Sequence, residues 1–275
     1  MIPMQVNSLK PIIIGHRGNP GNPLNSRFIE NTVDSFQAAW REGADGIELD
    51  VHLTQDGELV VYHDDNLGRV FSIPGDDNKR LICNYTLKEL YRAELNKIIA
   101  PFLGARIPKL EEVLPIPQGK KLLIELKFPY DIEPDDRAYL QRLVKEVVSF
   151  IERNNLIDQV YILSFVGSAL DEVKKLNPKI TTAYNVYQHE TDQGNSLETI
   201  RALRRQYNFN IINPPFEQVT NSSIDIIHSE GLKIYPWVWK EKPDKEITET
   251  ERLVRSGVDG TINNSLYEAI KTRNR

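Results

Sequence analysis

Eight short apolar runs, set between stretches of helical pattern, constrain this chain more than any other feature. They are Pro11–His16, Asp45–Val51, Leu122–Lys127, Val160–Phe165, Ile180–Asn185, Phe209–Asn213, Lys233–Val238 and Val258–Asn263. Most are rich in Ile, Leu and Val with little polar alternation, as strands buried on both faces of a parallel sheet require. Helical patterning occupies Asn31–Gly43, Asp135–Asn154, Ser168–Leu176, Ser196–Tyr207, Asn221–Glu230, Lys245–Gly257 and Leu266–Arg273. Asn31-Thr32 offers capping side chains for the first of these, and Gly43 ends it. Strands alternating with helices predict an α/β fold, the TIM (β/α)8 barrel. A length of 275 residues would also suit two ordinary domains. No Pro/Gly/Ser-rich linker divides the chain, so one barrel domain over residues 1–275 is expected.

One segment breaks the rhythm. Asp56-Gly57 is a two-residue hairpin signal, and it would turn Glu58–His63 antiparallel to the second strand. That segment therefore cannot be the next barrel strand. Residues 64–109 then read as an inserted subdomain, containing Pro74-Gly75 and Ala100-Pro101, before the helix expected near Leu110–Leu114. Long connections in compact domains commonly carry function.

Composition removes several function classes. Lys and Arg total 34 against 39 Asp and Glu, a net charge of −5, which gives no basic surface for nucleic acid. The single Cys83 excludes an internal disulfide and any cysteine-built metal site. No apolar run reaches the ~20 residues of a membrane span, so no stable membrane insertion is expected. Met1–Lys10 lacks a charged region followed by an apolar one. The expected location is the cytoplasm, with a processed secreted form as the alternative. Oligomeric state is not legible.

Active sites of such barrels lie at the C-terminal ends of the strands. The first strand ends in His16 and Arg17, the second in Glu48 and Asp50, the third in Glu125 and Lys127. Residues two apart on a strand share a face. With Gln55 paired to Glu58 across the hairpin, His63 comes opposite Asp50, on the same face of the ribbon. His52 shares that face too, farther out toward the turn, and is left between a site role and a structural one.

Each signal has a bland alternative when taken alone. A Glu-x-Asp is commonly a solvated pair, a lone His is commonly structural, and Glu125 with Lys127 is a simple ion pair. Six ionisable residues on three consecutive strand ends, joined by His63, favour a site. Three close carboxylates repel unless a cation joins them, and an all-oxygen set suits Mg²⁺ or Ca²⁺. Arg17 and Lys127 suit a phosphate. Two histidines suit general acid and base catalysis. Together these describe phosphoester cleavage. His189 and His228 read as loop and helix residues without a catalytic part. Phe165, Trp237 and Trp239 stand at later strand ends, and Asn213 is a polar candidate there.

These motifs resemble the glycerophosphodiester phosphodiesterase family. The match runs in order through Gly15-His16-Arg17-Gly18, Glu30-Asn31-Thr32, residues 43–51, Thr54-Gln55-Asp56-Gly57 and residues 60–64. It continues through residues 107–114, Ile124-Glu125-Leu126-Lys127, Ser164-Phe165 and residues 257–260. The resemblance implies a TIM barrel with a small insertion after strand two. It also implies hydrolysis of a small-molecule glycerophosphodiester to sn-glycerol 3-phosphate and an alcohol. Residue by residue it implies His16 and His63 as the acid/base pair, and Glu48, Asp50 and Glu125 as ligands of Mg²⁺ or Ca²⁺. Arg17 and Lys127 become phosphate contacts, and Phe165 and Trp237 become aromatics lining the glycerol side. Ile29, Trp237-Val238-Trp239-Lys240 and Gly260-Thr261-Ile262-Asn263-Asn264 depart from the family pattern. They are expected to concern the distal pocket and not the catalytic set.

Two other readings stay open at this point. A lysophospholipase D-like phosphodiesterase would need an apolar channel, for which Leu67, Val70, Phe71 and Ile73 of the insertion are candidates. A non-catalytic ligand-binding barrel would have lost part of the seven-residue set, which is complete here.

Overall fold

The computed structural model describes residues 10–20, 28–96, 105–128, 137–186, 197–238 and 243–275. His189, Trp239 and Ala100-Pro101 lie outside them. The chain opens with β1 (Ile12–Gly15), α1 (Val33–Glu42), β2 (Gly46–Leu53) and β3 (Leu59–Val61). The inserted segment holds β4 (Phe71–Ser72), α2 (Leu87–Leu90) and β5 (Glu94–Leu95). The barrel resumes with β6 (Lys121–Leu126), α3 (Arg137–Arg153), β7 (Val160–Ser164), α4 (Gly167–Leu176), β8 (Thr181–Asn185) and α5 (Leu197–Gln206). It ends with β9 (Ile211–Asn213), α6 (Asn221–Ser229), β10 (Lys233–Ile234), β11 (Trp237–Val238), α7 (Pro243–Arg255), β12 (Gly260–Asn263) and α8 (Leu266–Asn274).

The parallel sheet runs β10-β9-β8-β7-β6-β2-β1-β12-β11. Strands β10 and β11 are two halves of the expected seventh strand, so the ring closes on itself. Tyr235-Pro236 interrupts that strand because proline has no N–H to give the ladder. The half Lys233–Ile234 pairs with β9, and Trp237–Val238 pairs with β12. The Asp259 N–H donates to Ile234 O at 3.1 Å across the closure. Each of the eight expected strands is present, and the fold is a TIM barrel.

Alternation along the strands splits the core in two. Ile14, Leu123, Leu163, Ala183, Ile211, Tyr235 and Ile262 fill the barrel interior. Ile13, Ile47, Leu49, Val51, Leu122, Ile124 and Ile162 face outward and pack on Phe36, Leu143, Val147 and Leu170 of the helices. The same alternation aims Glu48, Asp50 and His52 inward from β2, and Glu125 and Lys127 from the end of β6.

The helix expected near Leu110–Leu114 is only a 3₁₀ turn over Leu110–Val113, and Pro115 follows it closely. The insertion has its own apolar cluster. Val60, Tyr62, Leu67, Val70, Phe71, Ile73, Ile82, Tyr85, Leu90 and Ile107 are buried together. The side chains proposed for an apolar channel, Leu67, Val70, Phe71 and Ile73, are at most 5% exposed and serve this small core instead.

The hairpin register differs from expectation by one residue. His52 pairs with Val60 and Leu53 with Leu59, and the Thr54 N–H donates to Glu58 O. The loop therefore holds three residues, Gln55-Asp56-Gly57. Thr54 causes this: its hydroxyl donates to Asp56 Oδ1 at 2.7 Å and accepts from the Glu58 N–H at 2.9 Å. Gly57 takes φ +86°, and its N–H donates to Thr54 O.

Candidate active site

The first strand delivers its residues through a tight turn. A Cβ at Gly15 would lie 2.2 Å from Gly18 O, and one at Gly18 would lie 2.4 Å from Ser35 Oγ. Between them Arg17 adopts a left-handed φ of +54°. That is costly for a side-chain residue and is held by the start of α1. The Ser35 hydroxyl donates to Arg17 O at 3.1 Å, and the Asn31 N–H donates to the same oxygen at 3.0 Å. The turn's backbone also faces the carboxylates, since the Arg17 N–H donates to Glu48 Oε2 at 3.0 Å.

Glu48, Asp50 and Glu125 each bring one carboxylate oxygen within 4.8 Å of the others. Glu48 and Asp50 are 2% and 1% exposed. Burial, then the neighbouring Asp50 and Glu125 charges, push the Glu48 carboxyl well above its ordinary range. Burial acts the same way on Asp50, but His63, Lys127 and Arg17 outweigh it and hold that carboxyl below the usual range. Asn31 adds to this, donating to Asp50 Oδ2 at 2.8 Å. Lys127 Nζ lies 2.9 Å from Glu125 Oε1 and 3.5 Å from Asp50 Oδ1. Asn213 donates to Asn185 Oδ1 at 2.9 Å, and Asn185 donates to Glu125 Oε2 at 3.0 Å. An orienting amide pair thus stands behind the third carboxylate. Three clustered carboxylates, one of them strained toward its neutral form, fit a hard divalent cation.

The two histidines are fixed through the same ring atom. His16 Nδ1 donates to Asn264 Oδ1 at 2.8 Å, and Nε2 lies 4.0 Å from Glu48 Oε2. Burial, then the adjacent Arg17 charge, push the His16 imidazole down to about 3, so it is neutral. His63 Nδ1 is 2.7 Å from Asp64 Oδ1. Both rings are left with Nε2 as the atom open to a substrate.

His63 reaches the cleft by a different route from the one expected. The Tyr62 N–H donates to Asp50 O, so Tyr62 and not His63 lies opposite Asp50. Strand β3 stops at Val61, and beyond it strand parity no longer governs the chain. His52 is fully buried. It does not line the cavity.

A cavity of about 580 Å³ opens on this cluster. His16, Arg17, Glu48, Asp50, His63, Glu125 and Lys127 line it, together with the apolar Phe128, Leu163, Phe165, Val166, Trp237 and Ile262. The nine residues to which the resemblance gives a role therefore meet in one place. Asn213 stands behind it through Asn185. His228 is remote, its Nε2 2.9 Å from Asp259 Oδ2 just before β12 begins.

Sequence reasoning missed the residues that hold the site. Asn31 and Thr32 together are the capping side chains expected from the sequence. Thr32 is the cap, accepting from the Ser35 N–H, while Asn31 turns to Asp50 at φ +56°. Asn264 belongs to a departure expected to lie outside the catalytic set, yet it contacts His16 directly. Glu246 accepts from the Asn264 and Ser265 N–H groups at 3.0 and 2.8 Å and fixes that loop.

Over most of its length the chain is similar to proteins of a known family. The model of the glycerophosphoryl diester phosphodiesterase family matches residues 16–267. A glycerophosphodiester phosphodiesterase of Caldanaerobacter subterraneus subsp. tengcongensis is 30% identical over 92% of this chain and 94% of its own. One from Bacillus altitudinis is 33% identical over 95% of this chain and 97% of its own. An Oleispira antarctica phosphodiesterase, solved with its product sn-glycerol-3-phosphate, shares the fold at a TM-score of 0.73 and 22% identity. It covers 96% of this chain and 97% of its own. The chain belongs to the glycerophosphoryl diester phosphodiesterase family.

Proposed function

We propose that this phosphodiesterase cleaves glycerophosphodiesters to sn-glycerol 3-phosphate and an alcohol, with His16 and His63 as its acid/base pair. The observation that carries this is the meeting, in one cavity, of two Nδ1-anchored histidines with a carboxylate trio of which Glu48 and Asp50 are buried and Glu125 is partly exposed. The Oleispira product complex supports the product assignment through a shared fold.

Glu48, Asp50 and Glu125 would hold a divalent cation, Mg²⁺ or Ca²⁺, which when bound supplies charge neutralisation and Lewis-acid polarisation of the phosphate. Arg17 and Lys127 offset charge as the transition state develops. Arg17 lines the cavity with its Nε 3.5 Å from Asp50 Oδ2 and its Nη1 2.9 Å from Glu30 Oε1, which fixes the guanidinium beside the place a phosphate would take. One imidazole takes the proton of the attacking oxygen, and the other returns a proton to the leaving alkoxide. The attacking oxygen is that of water or the glycerol 2-hydroxyl. Phe165 and Trp237 pack against the organic part of the substrate.

The test is a coupled assay of sn-glycerol 3-phosphate release, run with Mg²⁺ and Ca²⁺ in turn. Glycerophosphocholine and glycerophosphoethanolamine form the panel, and lysophosphatidylcholine, whose cleavage would leave lysophosphatidic acid, is followed by choline release. Release from the two soluble diesters is expected. Lysophosphatidylcholine should turn over poorly, because the insertion's apolar residues are buried. No release from any diester would overturn the proposal.

A further inference from the structure

Arg69 stands behind the site at a point where two separate parts of it meet. Its Nε and Nη2 donate to Asp64 Oδ2 and Oδ1 at 2.7 and 3.0 Å. Its Nη1 and Nη2 donate to Glu30 Oε2 and Oε1 at 3.1 and 2.6 Å. One guanidinium therefore engages both oxygens of two carboxylates. Each carboxylate has a second partner in the cleft. Asp64 Oδ1 holds His63 Nδ1 at 2.7 Å, and Glu30 Oε1 holds Arg17 Nη1 at 2.9 Å. The insertion delivers Arg69 on a fixed turn, in which the Gly68 N–H donates to Phe71 O at 2.7 Å. Asn96 donates to Gly68 O at 3.1 Å and braces the same turn.

We propose that Arg69 is a positioning residue that acts on catalysis through Asp64 and Glu30, fixing the His63 ring and the reach of Arg17 together. Without it, Asp64 and Glu30 face each other with no cation between them. Asp64 is then free to turn, and His63 Nδ1 loses a fixed acceptor. Only a planar fork with several N–H groups satisfies both carboxylates at once, so lysine cannot replace it fully. A small displacement of a reacting group is enough to slow the step. The inference rests on the roles given above to His63 and Arg17.

The experiment measures kcat and KM on glycerophosphocholine for wild type, Arg69→Ala and Arg69→Lys, with thermal melts alongside. Arg69→Ala is expected to lose about tenfold or more in kcat, with a smaller rise in KM. Arg69→Lys should fall between the two. Guanidinium ion added to Arg69→Ala should restore part of the lost kcat without moving the wild type. A folded Arg69→Ala with kcat within about twofold of wild type overturns the proposal. So does a loss that follows a lowered melting temperature and does not respond to guanidinium. If Arg69→Ala does not fold, Arg69→Lys decides: kcat equal to wild type overturns the proposal and a several-fold loss supports it. An inactive wild type would instead refute the functional reading on which this stands.

Discussion

At the scale of single residues, the site is a set of charges that cannot be left alone. Glu48 and Asp50 are buried, and unpaired carboxylates inside an apolar strand are expensive. That cost made them visible in the sequence, along with Glu125 and Lys127. Their partners were not visible, because the contacts bridge distant parts of the chain. His16 and Asn264 are 248 positions apart, and Asn185 and Glu125 are 60 apart. The account predicts that His16→Ala loses roughly 10²- to 10⁴-fold in kcat with an unchanged far-UV circular dichroism spectrum. Near-normal turnover would remove His16 from the reaction. Asn264→Leu deletes the acceptor of His16 Nδ1 and lets the ring exchange tautomers. A loss of about tenfold or more in kcat is expected, read from steady-state kinetics at matched folded fraction. Wild-type kinetics would show that Asn264 only packs against the ring.

Local sequence specified the elements unevenly. Continuous Ile/Leu/Val runs identified the barrel strands because both faces of each are covered. Pro236 divided one of them for a reason the residue itself supplies, its missing N–H. The hairpin register slipped because turn length was read from Asp56-Gly57 alone. Thr54 and Asp56 together select a loop one residue longer, and a one-residue slip inverts every face along a ribbon. His63 still enters the cleft because the strand has already ended at Val61. This loop gives a prediction of its own. Gly57 sits at φ +86° with nothing near its would-be Cβ, so an added methyl meets backbone strain and no clash. Gly57→Ala should cost about 1–2 kcal/mol in urea denaturation with kcat unchanged. No loss of stability would mean that the loop relaxes to a register without the left-handed residue.

For the whole molecule, the net charge of −5 does not draw in an anionic substrate. On the proposed reading attraction is local, from Arg17, Lys127 and the cation that the carboxylates would hold. The charge network that reaches from Arg17 through Glu30 and Arg69 to Asp64 also links stability to pH. Burial raises the Glu30 carboxyl, but Arg17 and then Arg69 outweigh it and hold it at about 2, against an ordinary 4.5. A carboxyl depressed by folding stabilises the protein fully above its unfolded value. It loses that contribution as pH falls toward the folded value. The urea midpoint should therefore drop between about pH 4.5 and 2, and Glu30→Gln should flatten part of that drop. An identical slope in the variant would show that Glu30 gains nothing from its two arginines. The central claim is that the carboxylate trio and the two histidines form one cation-dependent site for glycerophosphodiester cleavage. It is tested most directly by the initial rate of sn-glycerol 3-phosphate release from glycerophosphocholine. The protein is first treated with a chelator, then titrated with Mg²⁺ or Ca²⁺, with Glu48→Ala alongside. The account predicts a rate that vanishes on chelation, returns with the cation and does not return in Glu48→Ala. Undiminished release by the chelated wild type, or by Glu48→Ala, would contradict it.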